Sequence, residues 1–160
     1  MSGIASHPPR RFRAGLFQQS LLIVEDEIFV ALEIEQIVED AGFAVQAIAA
    51  DLEGAMRSAA DCDIALVDLN LRDGPTGPKI GTFLSTQHGV RVIYVTANPS
   101  QIGDASVCAL GVITKPFRAH SIAAALQLAA ADEPELTAAE ISGFMPFLPR
   151  GSLNAPGSRG

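Results

Sequence analysis

Short runs of uninterrupted apolar residues recur along this chain, among them Leu21-Leu22-Ile23-Val24, Ile64-Ala65-Leu66-Val67 and Val92-Ile93-Tyr94-Val95. A strand with one wet face alternates apolar and polar side chains, so a run that is apolar throughout must be covered on both faces. Strands of that kind belong in a parallel sheet with helices on either side.

The intervening segments supply those helices. From Glu27 to Ala41, the residues Val30, Ile34, Ile37, Val38 and Ala41 share one face at helical spacing, while Glu33, Glu35, Glu39 and Asp40 fall on the other. Gly42 follows as a C-cap glycine. Strands are then expected over 43–49, 63–68, 90–95 and 112–114, and helices over 51–60, 77–88, 101–110 and 118–131. Five strands alternating with five helices make the doubly wound α/β pattern. The fourth helix is expected to be short or distorted, because it must be built from Gln101 to Leu110 with Gly103 inside it.

Right-handed crossovers bring the carboxyl ends of all such strands to one edge, where open parallel sheets hold their ligands. Four motifs end four of the runs there: Glu25-Asp26 after LLIV, Asp68 after IALV, Thr96 after VIYV and Lys115-Pro116 after VIT. Singly each has an ordinary reading, such as a helix N-terminus for the acidic pair or a turn for Lys-Pro. In register they gather three carboxylates, a hydroxyl and an ammonium.

On these four ordered motifs, residues 20–131 resemble the receiver domain of bacterial two-component response regulators. The resemblance implies a flavodoxin-like sheet of order 2-1-3-4-5 and phosphoryl transfer from a histidine kinase to Asp68. It also implies a Mg²⁺ ion held by Asp26, Asp68 and the backbone carbonyl of Asn70, with Glu25 acting through water. Mg²⁺ takes octahedral oxygen ligands and keeps several waters, which suits such a set. Lys115 would offer its charge to a phosphoryl oxygen, Pro116 would follow a cis peptide bond, and the Thr96 hydroxyl would move to meet the phosphoryl group. Carboxylate attack on an already anionic group calls for positioning and charge neutralisation rather than a general base.

Other readings of the same residues stay open. A metal-dependent phosphatase of the haloacid dehalogenase type also uses an aspartyl nucleophile, but it needs a second aspartate two residues on, where this chain has Asn70. A receiver that is folded but never phosphorylated would serve as a scaffold. Retention of Asp26, Asp68, Thr96 and Lys115 speaks against it. The chain is expected to be no enzyme beyond its own phosphorylation and dephosphorylation.

The 160-residue chain carries a formal charge of −7, which argues against direct DNA or RNA binding. No run of eighteen apolar residues indicates a membrane span, no signal peptide is evident, and the expected location is cytoplasmic. Cys62 and Cys108 lack metal-ligand spacing and read as reduced thiols. His7, His88 and His120 are scattered, so the phosphohistidine would come from a partner: a sensor kinase or a histidine phosphotransfer protein.

Residues 1–19 read as an arm bearing Phe12, Leu16 and Phe17, and residues 132–160 as a tail too rich in proline, glycine and serine to form a DNA-binding output domain. Output is then expected through a downstream protein, a phosphorelay or a phosphate-sink role. The tail cluster Ile141, Phe144, Met145, Phe147 and Leu148 could dock on the receiver, on a second copy or on a partner, or be a disordered linker. A homodimer is compatible with the family. Three departures concern signalling: Val112 stands where many receivers carry a switching aromatic, only eighteen residues separate Thr96 from Lys115, and Arg72 lies in an unusual loop after Asp68. Asn70 and Asn98 hold positions that in this family affect phosphoryl lifetime.

Overall fold

The computed structural model describes residues 18–131 and 141–147. Strands β1 (Ser20–Val24), β2 (Ala44–Ala49), β3 (Ile64–Val67), β4 (Arg91–Thr96) and β5 (Gly111–Thr114) are parallel. Helices α1 (Ile28–Asp40), α2 (Leu52–Ser58), α3 (Gly77–His88) and α4 (Ala119–Ala130) connect or flank them. The sheet order is β2-β1-β3-β4-β5, as the family resemblance implies, with a further strand β6 (Phe144–Pro146) antiparallel on the outer side of β5.

The uninterrupted apolar runs become intelligible once their two faces are separated. On one face Leu22, Val24, Ala65, Val67, Val92, Tyr94 and Val112 pack with Ile80 and Leu84 of α3. On the other, Leu21, Ile23, Ile64, Leu66, Ile93, Val95 and Ile113 pack with Ile34 and Val38 of α1 and Ile122 and Leu126 of α4. Alternate residues of each strand therefore feed two cores, and each large aliphatic side chain fully buried this way contributes about 1.5–3 kcal/mol. Cys62 is buried within the first core, its Sγ donating to the Ala59 carbonyl at 3.5 Å, and Cys108 is half-buried.

The helix boundaries follow local chemistry. Helix α1 ends into Gly42 at φ +95°, a left-handed conformation that glycine adopts without strain. Its buried residues are Ala31, Ile34 and Val38, with Val30, Ile37 and Ala41 packed partly beneath them. Asp51 caps α2, its Oδ1 accepting from the Gly54 N–H at 2.9 Å.

The fourth crossover differs from a regular helix. Between β4 and β5 the chain makes two 3-10 segments, Pro99–Gln101 and Gly103–Cys108. Gly103 opens the second of them at φ +58°, so no α-helix can run through. Only four α-helices therefore stand among the described residues, the expected fourth being replaced by tighter turns.

The second difference is β6, which no periodicity announced. Of the tail cluster, Ile141, Phe144, Met145 and Phe147 are described, and they lie against the receiver body. Leu148, the arm residues Phe12, Leu16 and Phe17, and His7 fall outside the described residues.

Candidate functional site

The site begins with β1 and β3, whose ends deliver their carboxylates side by side because the strands pair in parallel, Val24 opposite Val67. Glu25, Asp26 and Asp68 each offer an oxygen, and these oxygens lie within 4.8 Å of one another. Glu25 and Asp68 are buried, whereas Asp26 is exposed.

Lys115 joins them from the end of β5. Its Nζ donates to Glu25 Oε1 at 2.6 Å and to Asp68 Oδ2 at 3.0 Å. The Lys115–Pro116 peptide bond is cis, as the resemblance implied. Asp68 is also held at its other oxygen, where Oδ1 accepts from the Leu69 N–H at 2.7 Å. Glu25 Oε2 accepts from the Glu27 N–H at 3.1 Å.

Burial raises the Glu25 carboxyl above its ordinary value, although hydrogen bonds from Lys115 and the Glu27 N–H oppose the shift. Burial lowers Lys115 as well, but its bonds to Glu25 and Asp68 outweigh that, and its pKa lies above the ordinary one. Three carboxylates face one ammonium, so the cluster keeps an excess of negative charge. Hard carboxylate oxygens in that excess are the donor set a divalent cation such as Mg²⁺ takes, and the residues present fit one.

Thr96 ends β4, fully buried between the strands that carry Asp68 and Lys115. Its Oγ1 accepts from the Asn98 N–H at 3.0 Å, and its carbonyl accepts from the Lys115 N–H at 2.9 Å. The threonine is thus tied to both the loop after β4 and the lysine. Asn70 follows Asp68, with its side-chain amide donating to Gln101 Oε1 at 3.0 Å.

Several contacts escaped the sequence reading. Gly77 opens α3 so close to the Asp68 loop that a Cβ there would lie 2.1 Å from the Asp68 carbonyl oxygen. Arg72 is exposed, as a loop arginine would be, yet its Nε donates to Asp51 Oδ2 at 2.8 Å. Asp73 Oδ2 accepts from the Leu52 N–H at 3.0 Å and its Oδ1 from the Thr76 hydroxyl at 2.7 Å. Together these tie the loop after Asp68 to the start of α2. The tendency of Asp51 and Asp73 to start helices and turns was visible in sequence, but their partners lie about twenty residues away.

Comparison with known proteins decides the family. The family model for the response regulator receiver domain matches residues 21–127. The chain belongs to that family. It is 31% identical over 114 residues to the phyllosphere-induced regulator PhyR of Methylorubrum extorquens, a match covering 68% of this chain and 42% of that relative. The chain therefore corresponds to less than half the length of the curated relative it matches. Among solved structures, the PhyR receiver domain of Erythrobacter litoralis superposes with a TM-score of 0.65 at 26% identity, covering 70% of this chain and 89% of that one. The anti-anti-sigma factor PhyR of Bartonella quintana gives 0.61 at 26% identity, covering 71% of this chain and 48% of that one. This receiver is a module of two-component signalling. No helix among its described residues is long and apolar enough to cross a membrane.

Proposed function

We propose that this receiver accepts a phosphoryl group on Asp68 from a phosphohistidine and passes the signal on by protein contact. The observation that carries the reading is the Lys115 ammonium bridging Glu25 and Asp68, with Asp26 beside them and Thr96 next in the sheet. This is a phosphoryl-transfer arrangement without a general base.

In the proposed step an Asp68 carboxylate oxygen attacks phosphorus, a P–O bond forms and the P–N bond to the donor imidazole breaks. The imidazole leaves with the electron pair and takes up a proton. Lys115 moves one contact from Asp68 Oδ2 to a phosphoryl oxygen, where its charge stabilises the transferring group. Glu25, Asp26, Asp68 and the Asn70 carbonyl would hold Mg²⁺, directly or through water, which when bound neutralises phosphoryl charge. Thr96 would donate its hydroxyl proton to another phosphoryl oxygen, drawing on the Asn98 loop it already anchors. Asn70 and Asn98 then border the phosphoryl group and would influence its lifetime.

The donor protein, a sensor kinase or a histidine phosphotransfer protein, would approach at this edge. There Ile28, Phe29 and Leu32 of α1 are exposed, Phe29 at 84%. Apolar side chains beside an acidic pocket suit a protein partner better than a small donor alone. Likeness to the receiver part of an anti-anti-sigma factor makes a sigma-factor control circuit the first place to seek the downstream partner. A cytoplasmic location follows from that role. Family membership favours this reading over an aspartyl phosphatase.

Intact mass after incubation with Mg²⁺ and a small phosphodonor tests the proposal. The native chain should gain one phosphoryl group that decays, and Asp68→Asn should gain none. Failure of the native chain with both the small donor and candidate kinases would leave an unphosphorylated scaffold.

A further inference from the structure

We propose that the outer edge of β5 is a strand-docking seat, filled here by the chain's own residues 141–147 and open in competition to an extended, uncharged partner peptide bearing two aromatic residues three positions apart. The inference rests on the fold alone and does not require phosphoryl transfer.

The seat is built from the receiver body. Gly111 of β5 leaves room that no other residue would: a Cβ there would lie 2.4 Å from the Met145 carbonyl oxygen and 2.5 Å from Phe144 Cζ. Pairing is antiparallel, with Gly111 opposite Pro146, Val112 opposite Met145 and Ile113 opposite Phe144. The buried Ser121 hydroxyl of α4 donates to the Ser142 carbonyl. Beyond the strand, the Phe147 N–H donates to the Leu110 carbonyl at 2.9 Å.

The ligand side is equally defined. Phe144, opposite Ile113, is buried in the core that α1 and α4 cover, while Phe147 packs on the opposite face of the sheet. Residues three apart in an extended strand point to opposite faces, so one short segment grips both cores. Gly143, at φ +84° with its Cα hydrogen side against Ser121, sets the turn that brings Phe144 in. Main-chain pairing supplies affinity in such complexes and side-chain pockets supply selectivity.

Three observations favour exchange over a fixed sixth strand. The segment lies outside the 21–127 receiver match. It pairs through only three residues, and its central Met145 is 56% exposed. It also carries no charge, so its two rings, its backbone and the partly buried Ile141 define what the seat accepts. A partner strand with the same ring spacing and a glycine before its first ring offers the features that seat the chain's own segment.

The test uses a fluorescein-labelled peptide with the sequence of residues 141–147, titrated into the full chain and read by polarisation. Phe144→Ala empties the seat without touching the residues that form it. This variant should bind the peptide saturably, at least about tenfold more tightly than the native chain, whose tethered segment competes at an effective concentration near millimolar. A peptide with its first phenylalanine changed to alanine should not bind, and adding Gly111→Val to the variant should abolish binding. Equal binding by native and Phe144→Ala chains, or by the two peptides, would overturn the proposal. Should Phe144→Ala fail to unfold cooperatively, Gly143→Val loosens the segment at its entry, and the same two comparisons decide.

Discussion

The two ends of β5 are built on different principles. At its carboxyl end Lys115 sits in a pocket made entirely of strand termini, each fixed by a strand buried on both faces. Along its outer edge and in the crossover that precedes it, structure depends on small residues and late contacts: Gly103 at φ +58°, 3-10 turns over Gly103–Cys108, and a three-residue strand seated over Gly111. The first arrangement is inherited from the sheet itself. The second is expected to change without disturbing the first, which would leave the acidic pocket intact beside a β5 edge covered by β6.

Lys115→Ala gives the largest expected effect on that contrast. Losing the ammonium that Lys115 brings to the pocket should slow phosphoryl uptake by about 10²–10³-fold, the scale for removing one preorganised charge-stabilising donor. A time course of adduct formation by mass spectrometry measures it. Near-native uptake would show that the pocket works without its cation.

Phe144→Ala attacks the other end of the contrast. Truncating this buried ring should cost about 3 kcal/mol in a urea titration, while adduct formation on Asp68 stays unchanged. Loss of both together would mean that the edge and the pocket form one cooperative unit.

Tyr94 tests what holds the crossover. Its phenol is fully buried, burial raises its pKa, and its hydroxyl donates to the Ala105 carbonyl at 3.4 Å. Gly81 makes room for it, since a Cβ there would lie 2.1 Å from the hydroxyl oxygen. Tyr94→Phe should cost about 1 kcal/mol, with faster amide hydrogen exchange confined to residues 103–108. Exchange that rises equally across β3 would place the tyrosine in the general core instead.

The smallest effect concerns the loop after Asp68. The Gly54 N–H and then Arg72 hold the Asp51 carboxyl below its ordinary value, and the Leu52 N–H and then Thr76 do the same for Asp73. Carboxyls lowered on folding contribute stability that is present above their unfolded pKa and is lost as pH falls through the folded one. Asp51→Asn should therefore lower the neutral plateau of a stability–pH curve slightly and flatten its acid limb, leaving the low-pH end unchanged.

The legible and illegible parts divide along the same line. Strand runs, the Gly42 cap and the four strand-end motifs are local signals; they gave the parallel strands and the residues gathered at their ends, and the resemblance those motifs carry gave the sheet order. Gly103 was enough to foretell a short or distorted fourth helix, but not its replacement by 3-10 turns. The β6 segment was not readable, because a strand interrupted by Gly143 and Pro146 has no period, and its fit depends on a missing side chain at Gly111 some thirty residues earlier. The Arg72–Asp51 pair and the Tyr94–Gly81 contact were hidden for the same reason: each joins residues that only the folded chain brings together.

The central claim is that Asp68 is the phosphoacceptor, and chemical mapping tests it most directly. Reducing the phosphorylated protein with borohydride converts an acyl phosphate to the corresponding alcohol, so peptide mass spectrometry should find homoserine at position 68 and nowhere else. Homoserine at position 26, or no reduced residue in a protein that carries the adduct, would contradict the account.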